Sequence, residues 1–257
     1  LLGNVAGRAY VPVIDTLENF ARDPDSFRVL VPIANPRTET ELVELAARLA
    51  SAHDNGRVHV VHVIQADKNL VLDHEHDRRD AITAQSERLL DDIESVVDER
   101  DAAFESSTIV SPRSFEEIFD FAARTRPDMV VMGWGEEKLW NSARAERPID
   151  ELTNRLPCDF LIANDRGLDC SDVLLPTVGG PDAALAAETA RALQETGNST
   201  LSLLTVVDNP DERTAGEQFL DNWAETHDLS DAERIVDVTV DVEAAIEREA
   251  ETSTMVM

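Results

Sequence analysis

Phe27-Arg28-Val29-Leu30-Val31-Pro32-Ile33-Ala34-Asn35-Pro36-Arg37-Thr38 and, far downstream, Ser171-Asp172-Val173-Leu174-Leu175-Pro176-Thr177-Val178-Gly179-Gly180-Pro181-Asp182 are two versions of one pattern. In each, a continuous apolar run enters a turn of Pro, Gly or Asn and then a stretch whose apolar residues recur at helical spacing. A run that is apolar at almost every position suits a strand buried on both faces, as in a parallel sheet covered by helices. The pattern written twice therefore predicts two copies of one α/β unit.

Working outward, the first copy predicts Val29–Ile33 as a strand and then a helix carrying Leu42, Leu45, Ala46 and Leu49. Val58–Ile64 follows as the second strand, Arg79–Ala103 as a long acidic helix, and Thr108–Val110 as the third strand. Phe115–Arg124 is the third helix, Met129–Met132 the fourth strand, Ile149–Leu156 the last helix and Phe160–Ile162 the fifth strand. The second copy runs through Val173–Val178, Ala183–Glu195, Thr200–Val207, Thr214–His227, Arg234–Val238, Val242–Ala250 and Met255–Val256. This alternation demands parallel sheets with right-handed crossovers and helices on both faces. Ser253-Thr254-Met255-Val256-Met257 corresponds to Asp128-Met129-Val130-Val131-Met132, so the second copy is expected to be truncated and the chain to be a piece of a longer protein. The expected domains are a linker with a short helix over 1–26, a first domain over 27–167 and a second over 168–257.

With 257 residues and 42% hydrophobic content, the chain can build two cores of ordinary size. Asp and Glu number 52 against 23 Lys and Arg, a formal charge of -29, which repels phosphate backbones and excludes nucleic acid as a partner of the chain as a whole. Lys68 and Lys138 are the only lysines. Dense carboxylates with so little Lys match proteins of salt-loving archaea, since at molar salt the Debye length shrinks to about 3 Å and surface repulsion is screened. No apolar run approaches the roughly 20 residues of a membrane span, so this segment is not expected to insert. Cys158 and Cys170 are too few for a disulfide framework.

The strand opening Val29-Leu30-Val31-Pro32, the closing Asp128-Met129-Val130-Val131-Met132-Gly133 and the lead-in Leu156-Pro157-Cys158-Asp159-Phe160-Leu161-Ile162 together resemble the universal stress protein family in both copies. The resemblance implies two tandem doubly wound parallel-sheet domains of the adenine nucleotide alpha hydrolase-like class. More narrowly, Val29–Arg37, Pro157–Asp159, Asp165–Gly167 and Leu174–Asp182 resemble the paired stress-protein domains behind the membrane part of haloarchaeal amino-acid permeases. That implies a cytoplasmic regulatory tail tethered to the inner face of the membrane, its partner being the transporter part of the same polypeptide. It also implies a pseudo-dimer of the two domains, with a homodimer as a further possibility. No catalysis is expected.

Family members that bind ATP use Gly-x-x-Gly and a later Gly-Ser or Gly-Thr, where bare backbone N–H groups wrap phosphates. Here Gly133 matches the first glycine, but Glu136 takes the second, and Glu146 and Arg147 take the later pair. The acidic residue that many members carry after the first strand is replaced by Ala34 and Val178, with Asn35 beside the former. The resemblance thus implies a degenerate nucleotide crevice at Asn35, Val63 and Gly133, with no resident cofactor and ATP or another adenine nucleotide as the alternative ligand. The alternative function is a free-standing ATP-binding tandem protein whose competent site lies in the missing part of the second domain.

Other constellations read as structural. Thr177-Val178-Gly179-Gly180-Pro181-Asp182-Ala183 resembles the phosphate loop of ATP pyrophosphatases, but both serines are absent and a Gly-Gly-Pro turn accounts for it. Asp73-His74-Glu75-His76-Asp77 reads as a solvated acidic loop, because His two residues apart do not share a helix face and no third ligand is near. His59 and His62 are expected on opposite faces of one strand. Cys158 reads as an inert packing thiol, and Trp134 and Trp140 as core-edge residues with docking to a partner as the alternative.

Overall fold

The computed structural model describes residues 25–35, 39–65, 76–111, 114–133, 151, 153–154, 156–164 and 168–257. The chain divides into two compact units, one of Leu1–Ala47 and Asn55–Asp165, the other of Arg48–Asp54 and Arg166–Met257. In the first lie β1 (Arg28–Ile33), α1 (Thr40–Ser51) as far as Ala47, β2 (Arg57–Gln65), α2 (His76–Asp98), β3 (Ala103–Ser111), α3 (Ser114–Thr125), β4 (Met129–Gly133) and β5 (Asp159–Ala163). The sheet runs β3-β2-β1-β4-β5 with every pair parallel.

All six residues of β1 are buried, which is why its sequence is apolar without alternation. Leu30 joins Val61, Val63, Ile109, Val130 and Met132 under α3, whose Phe115, Ile118, Phe119, Phe121 and Ala122 complete one core. Successive strand residues point to opposite faces, so Val29, Val31 and Ile33 look the other way, the side of α1 with its buried Leu42, Leu45, Ala46 and Leu49. The sheet is thus covered on both faces, as a doubly wound fold requires.

The second unit holds β6 (Asp172–Pro176), α4 (Pro181–Gly197), β7 (Thr200–Val207), a 3-10 turn at Pro210–Glu212, α5 (Arg213–Thr226), β8 (Glu233–Val238), α6 (Val242–Ala250) and β9 (Met255–Val256). Its sheet runs β8-β7-β6-β9, again all parallel. Gly216 sets the approach of α5, because a Cβ there would lie 3.0 Å from Val236 and 3.2 Å from Val207. Two parallel-sheet α/β domains are therefore present.

The largest boundary differences from the sequence expectation fall between the long helix and the third strand. The long helix ends at Asp98 rather than Ala103, with Asp101 in the left-handed region at φ 57°, and the third strand starts at Ala103 rather than Thr108. Ala103–Ser111 pair residue for residue with Arg57–Gln65, and that cross-strand ladder overrides the polar look of Glu105-Ser106-Ser107. His76 and Asp77, expected in an acidic loop, open α2. The linker helix within 1–26, residues 73–75, the loop bearing Trp134, Glu136, Trp140, Glu146 and Arg147, and residues 149–150, 152 and 155 of the expected last helix lie outside the described residues.

Candidate functional site

In an open parallel sheet, ligands bind beyond the carboxyl ends of the strands where the strand order reverses. In the first unit that point lies between β1 and β4. The register pairs Ile33 with His62 and runs Val29 beside Met129, which puts Ala34 level with Val63 and Ile33 level with Gly133. The fold thus brings the ends of three adjacent strands, and with them Asn35, Val63 and Gly133, to one rim. Their roles differ. Val63 is 1% exposed within the core under α3, so its side chain packs rather than lines the crevice. At Gly133 a Cβ would meet Leu42 Cδ2 at 3.5 Å, an ordinary contact, so packing does not demand a glycine there. Asn35 is exposed.

The carboxylate missing at Ala34 arrives from elsewhere. The Ala34 and Asn35 backbone N–H groups both donate to Glu39 Oε2, at 2.7 and 2.8 Å, and Glu39 is 3% exposed. Sequence reasoning looked for an acidic residue directly after the strand and missed Glu39. The available signal was an acidic residue placed immediately before the helix that starts at Thr40.

Behind this rim lies a buried polar row. His62 Nδ1 is 2.6 Å from Ser86 Oγ, which is 2.6 Å from Thr108 Oγ1, and all three residues are buried. Burial pushes the His62 pKa below its ordinary value, partly offset by a hydrogen bond to the Ala34 backbone, so the ring is neutral near pH 7. The Ala34 and Asn35 N–H groups are thus tied to Glu39, and His62 on the neighbouring strand, level with Ile33, is tied to Ser86. Replacing Ser86 with Ala is expected to cost about 1–3 kcal/mol, because it removes a partner from two buried polar groups. Urea denaturation monitored by circular dichroism checks this.

His59 sits on the opposite face of β2, as expected. Its Nε2 is 2.9 Å from Ser107 Oγ and its ring meets Phe121 edge-on at 5.4 Å. Burial, and then the positive charge of Arg28, lower its pKa to about 3. Cys158 packs half-buried against the core, and burial together with Asp159 and Asp128 pushes its thiol up to about 11. At neutral pH it stays protonated, which removes its nucleophilicity. Among the described residues no group of three or more His, Cys, Asp or Glu is placed to hold a metal ion.

In the second unit the loop after β6 is a turn, with Gly179 at φ 83° and Gly180 at φ 102°, and with Thr177 Oγ1 accepting from the Gly179 N–H at 3.0 Å. These left-handed angles explain the glycine pair. Among the described residues no helix is long and apolar enough to cross a membrane.

Residues 26–164 match the universal stress protein family. A universal stress protein from Archaeoglobus fulgidus DSM 4304 is similar in structure, with a TM-score of 0.56 at 16% identity over 89% of this chain and 85% of that one. The cytoplasmic domain of a prokaryotic cation chloride cotransporter gives 0.55 at 17% identity over 83% of this chain and 79% of that one. A putative universal stress protein from Pseudomonas aeruginosa UCBPP-PA14 gives 0.56 at 14% identity over 89% and 80%. At such identities the likeness is one of fold. No curated protein matches the sequence.

Proposed function

Because the chain belongs to the universal stress protein family, we propose that it is a non-catalytic regulatory module of a membrane amino-acid transporter, with a degenerate nucleotide crevice in its first unit. The observation that carries this reading is the chemistry of the rim. Its N–H groups are engaged by the Glu39 carboxylate, and the buried His62 imidazole behind it is uncharged near pH 7. A site of this kind suits reversible binding better than bond making or breaking.

The choice of partner is supported by the likeness in fold to a cotransporter's cytoplasmic domain. It is supported also by the permease-like motifs Val29–Arg37 and Leu174–Asp182. On this reading the module lies at the cytoplasmic face in a salt-rich cell, and a small ligand at Asn35 and Gly133 biases its contacts with the transporter. The test is uptake of labelled amino acids by vesicles carrying the intact transporter or the same transporter without residues 27–257. A change in rate or in its response to cytoplasmic solutes is expected. Unchanged uptake under every condition, or a reading frame that opens near Leu1 with no apolar segments upstream, overturns the proposal.

A further inference from the structure

We infer that Glu39 is a resident anion, whose carboxylate holds the backbone N–H groups at the end of β1 and shuts the first unit's crevice to anionic ligands. The inference rests on the functional reading above only in taking that crevice as the place where a ligand would sit. Two consecutive N–H groups converge on one oxygen, Oε2, at 2.7 Å from Ala34 and 2.8 Å from Asn35. These are the lengths of charge-assisted hydrogen bonds, which are about twice as strong as neutral ones. Successive backbone N–H groups at the turn from a strand into a helix are what proteins offer to phosphate or carboxylate. Here the chain's own carboxylate fills that role. Because Glu39 is 3% exposed, water does not screen the contact. An entering anion meets a like charge and N–H groups that are already engaged.

The second copy supplies an internal comparison. When Pro32 is set on Pro176, the buried helix positions coincide, with Val43, Ala46 and Leu49 on Ala187, Ala190 and Leu193. The place of Glu39 is then held by Ala183, which offers no side-chain acceptor, and the N–H in Asn35's place, that of Gly179, donates instead to the neutral Thr177 Oγ1 at 3.0 Å. The closure therefore belongs to the first copy alone and is not a requirement of the shared fold. The two copies differ in what their first turns can accept, and an anionic ligand is barred from only one of them by this device.

The test follows the Ala34 and Asn35 amide resonances of the full chain by NMR during titration with inorganic phosphate. In the wild type they are expected to stay in place. In Glu39→Ala they are expected to shift saturably, with an apparent affinity at least about tenfold higher. Equal response in the wild type and the variant overturns the inference, and so does a variant whose two amides do not respond. If Glu39→Ala does not fold, Glu39→Gln, which keeps the shape and removes the charge, is read in the same way. Vesicle uptake that ignores the module sinks the transporter reading and leaves this result standing, so the two failures are told apart.

Discussion

Glu105→Ala is expected to destabilise the first unit by about 1–3 kcal/mol, because it leaves the buried Arg28 guanidinium without its carboxylate while Glu105 itself, 20% exposed, is partly screened by solvent. Glu105 stands on β3 opposite His59, and its two oxygens serve two arginines, with Oε2 3.2 Å from Arg28 Nε and Oε1 3.2 Å from Arg57 Nη1. The Arg28 side chain is only 5% exposed. Its approach to Oε2 is an ion-pair contact whose alignment falls short of a hydrogen bond, so the stabilisation there is mainly Coulombic. A guanidinium cannot escape by losing its proton, and without Glu105 two of them would face each other at the foot of β1 and β2. Equilibrium denaturation in urea measures the loss. A change below about 1 kcal/mol would show that solvent already screens the cluster. The double replacement Arg28→Met with Glu105→Leu is expected to cost much less than Glu105→Ala alone, since paired apolar side chains leave no charge stranded.

Acid is expected to weaken the fold well above the range where most carboxylates titrate, and His59 is the cause. Its pKa is about 3 in the folded protein and near 6.5 in the unfolded chain. Between these values the unfolded chain binds a proton that the folded one refuses, so stability rises with pH across that window. The contribution is fully present above pH 6.5 and is lost as pH falls toward 3. At about 1.4 kcal/mol per pH unit, the fall from pH 6.5 to 5 removes roughly 2 kcal/mol. The full descent to pH 3 removes on the order of 5 kcal/mol. His62, lowered in the same direction by burial, adds to the slope. A His59→Gln variant keeps a partner for Ser107 and has no proton to gain. Its stability should therefore vary distinctly less between pH 7 and 5 than that of the wild type. Identical slopes in the two proteins would remove His59 from the account. The comparison is made at constant high salt, which holds the effect of the -29 formal charge fixed.

The positions of the strands in the first half were legible wherever apolar side chains filled both faces, as in Val29–Ile33 and Met129–Met132. In the second half Thr200–Val207, Val242–Ala250 and Met255–Val256 coincide with the elements observed. The alternation rule also placed His59 and His62 on opposite faces, and the structure sets one against Ser107 and the other against Ser86. That Asn35, Val63 and Gly133 stand near one level of the sheet followed from the way parallel βα units end their strands together. Their separate characters were not legible. Whether Val63 faces a crevice or a core depends on which side of the sheet α3 covers, and no local pattern states that.

The duplicated strand and turn determined the α/β class, the two units and the βα order, because a buried parallel strand must be apolar along its length and that requirement is written locally. The folded chain decided that Glu105 belongs to a strand and that Glu39 accepts the N–H groups at the end of β1. Each is a charged residue whose place is set by the groups it meets: Arg28 and Arg57 on neighbouring strands for Glu105, and for Glu39 the N–H groups of Ala34 and Asn35, five and four residues before it. Hydrophobic burial follows a residue's own chemistry and its spacing along the chain. The value of a charge depends on what stands opposite it, and that is known only once the chain has folded.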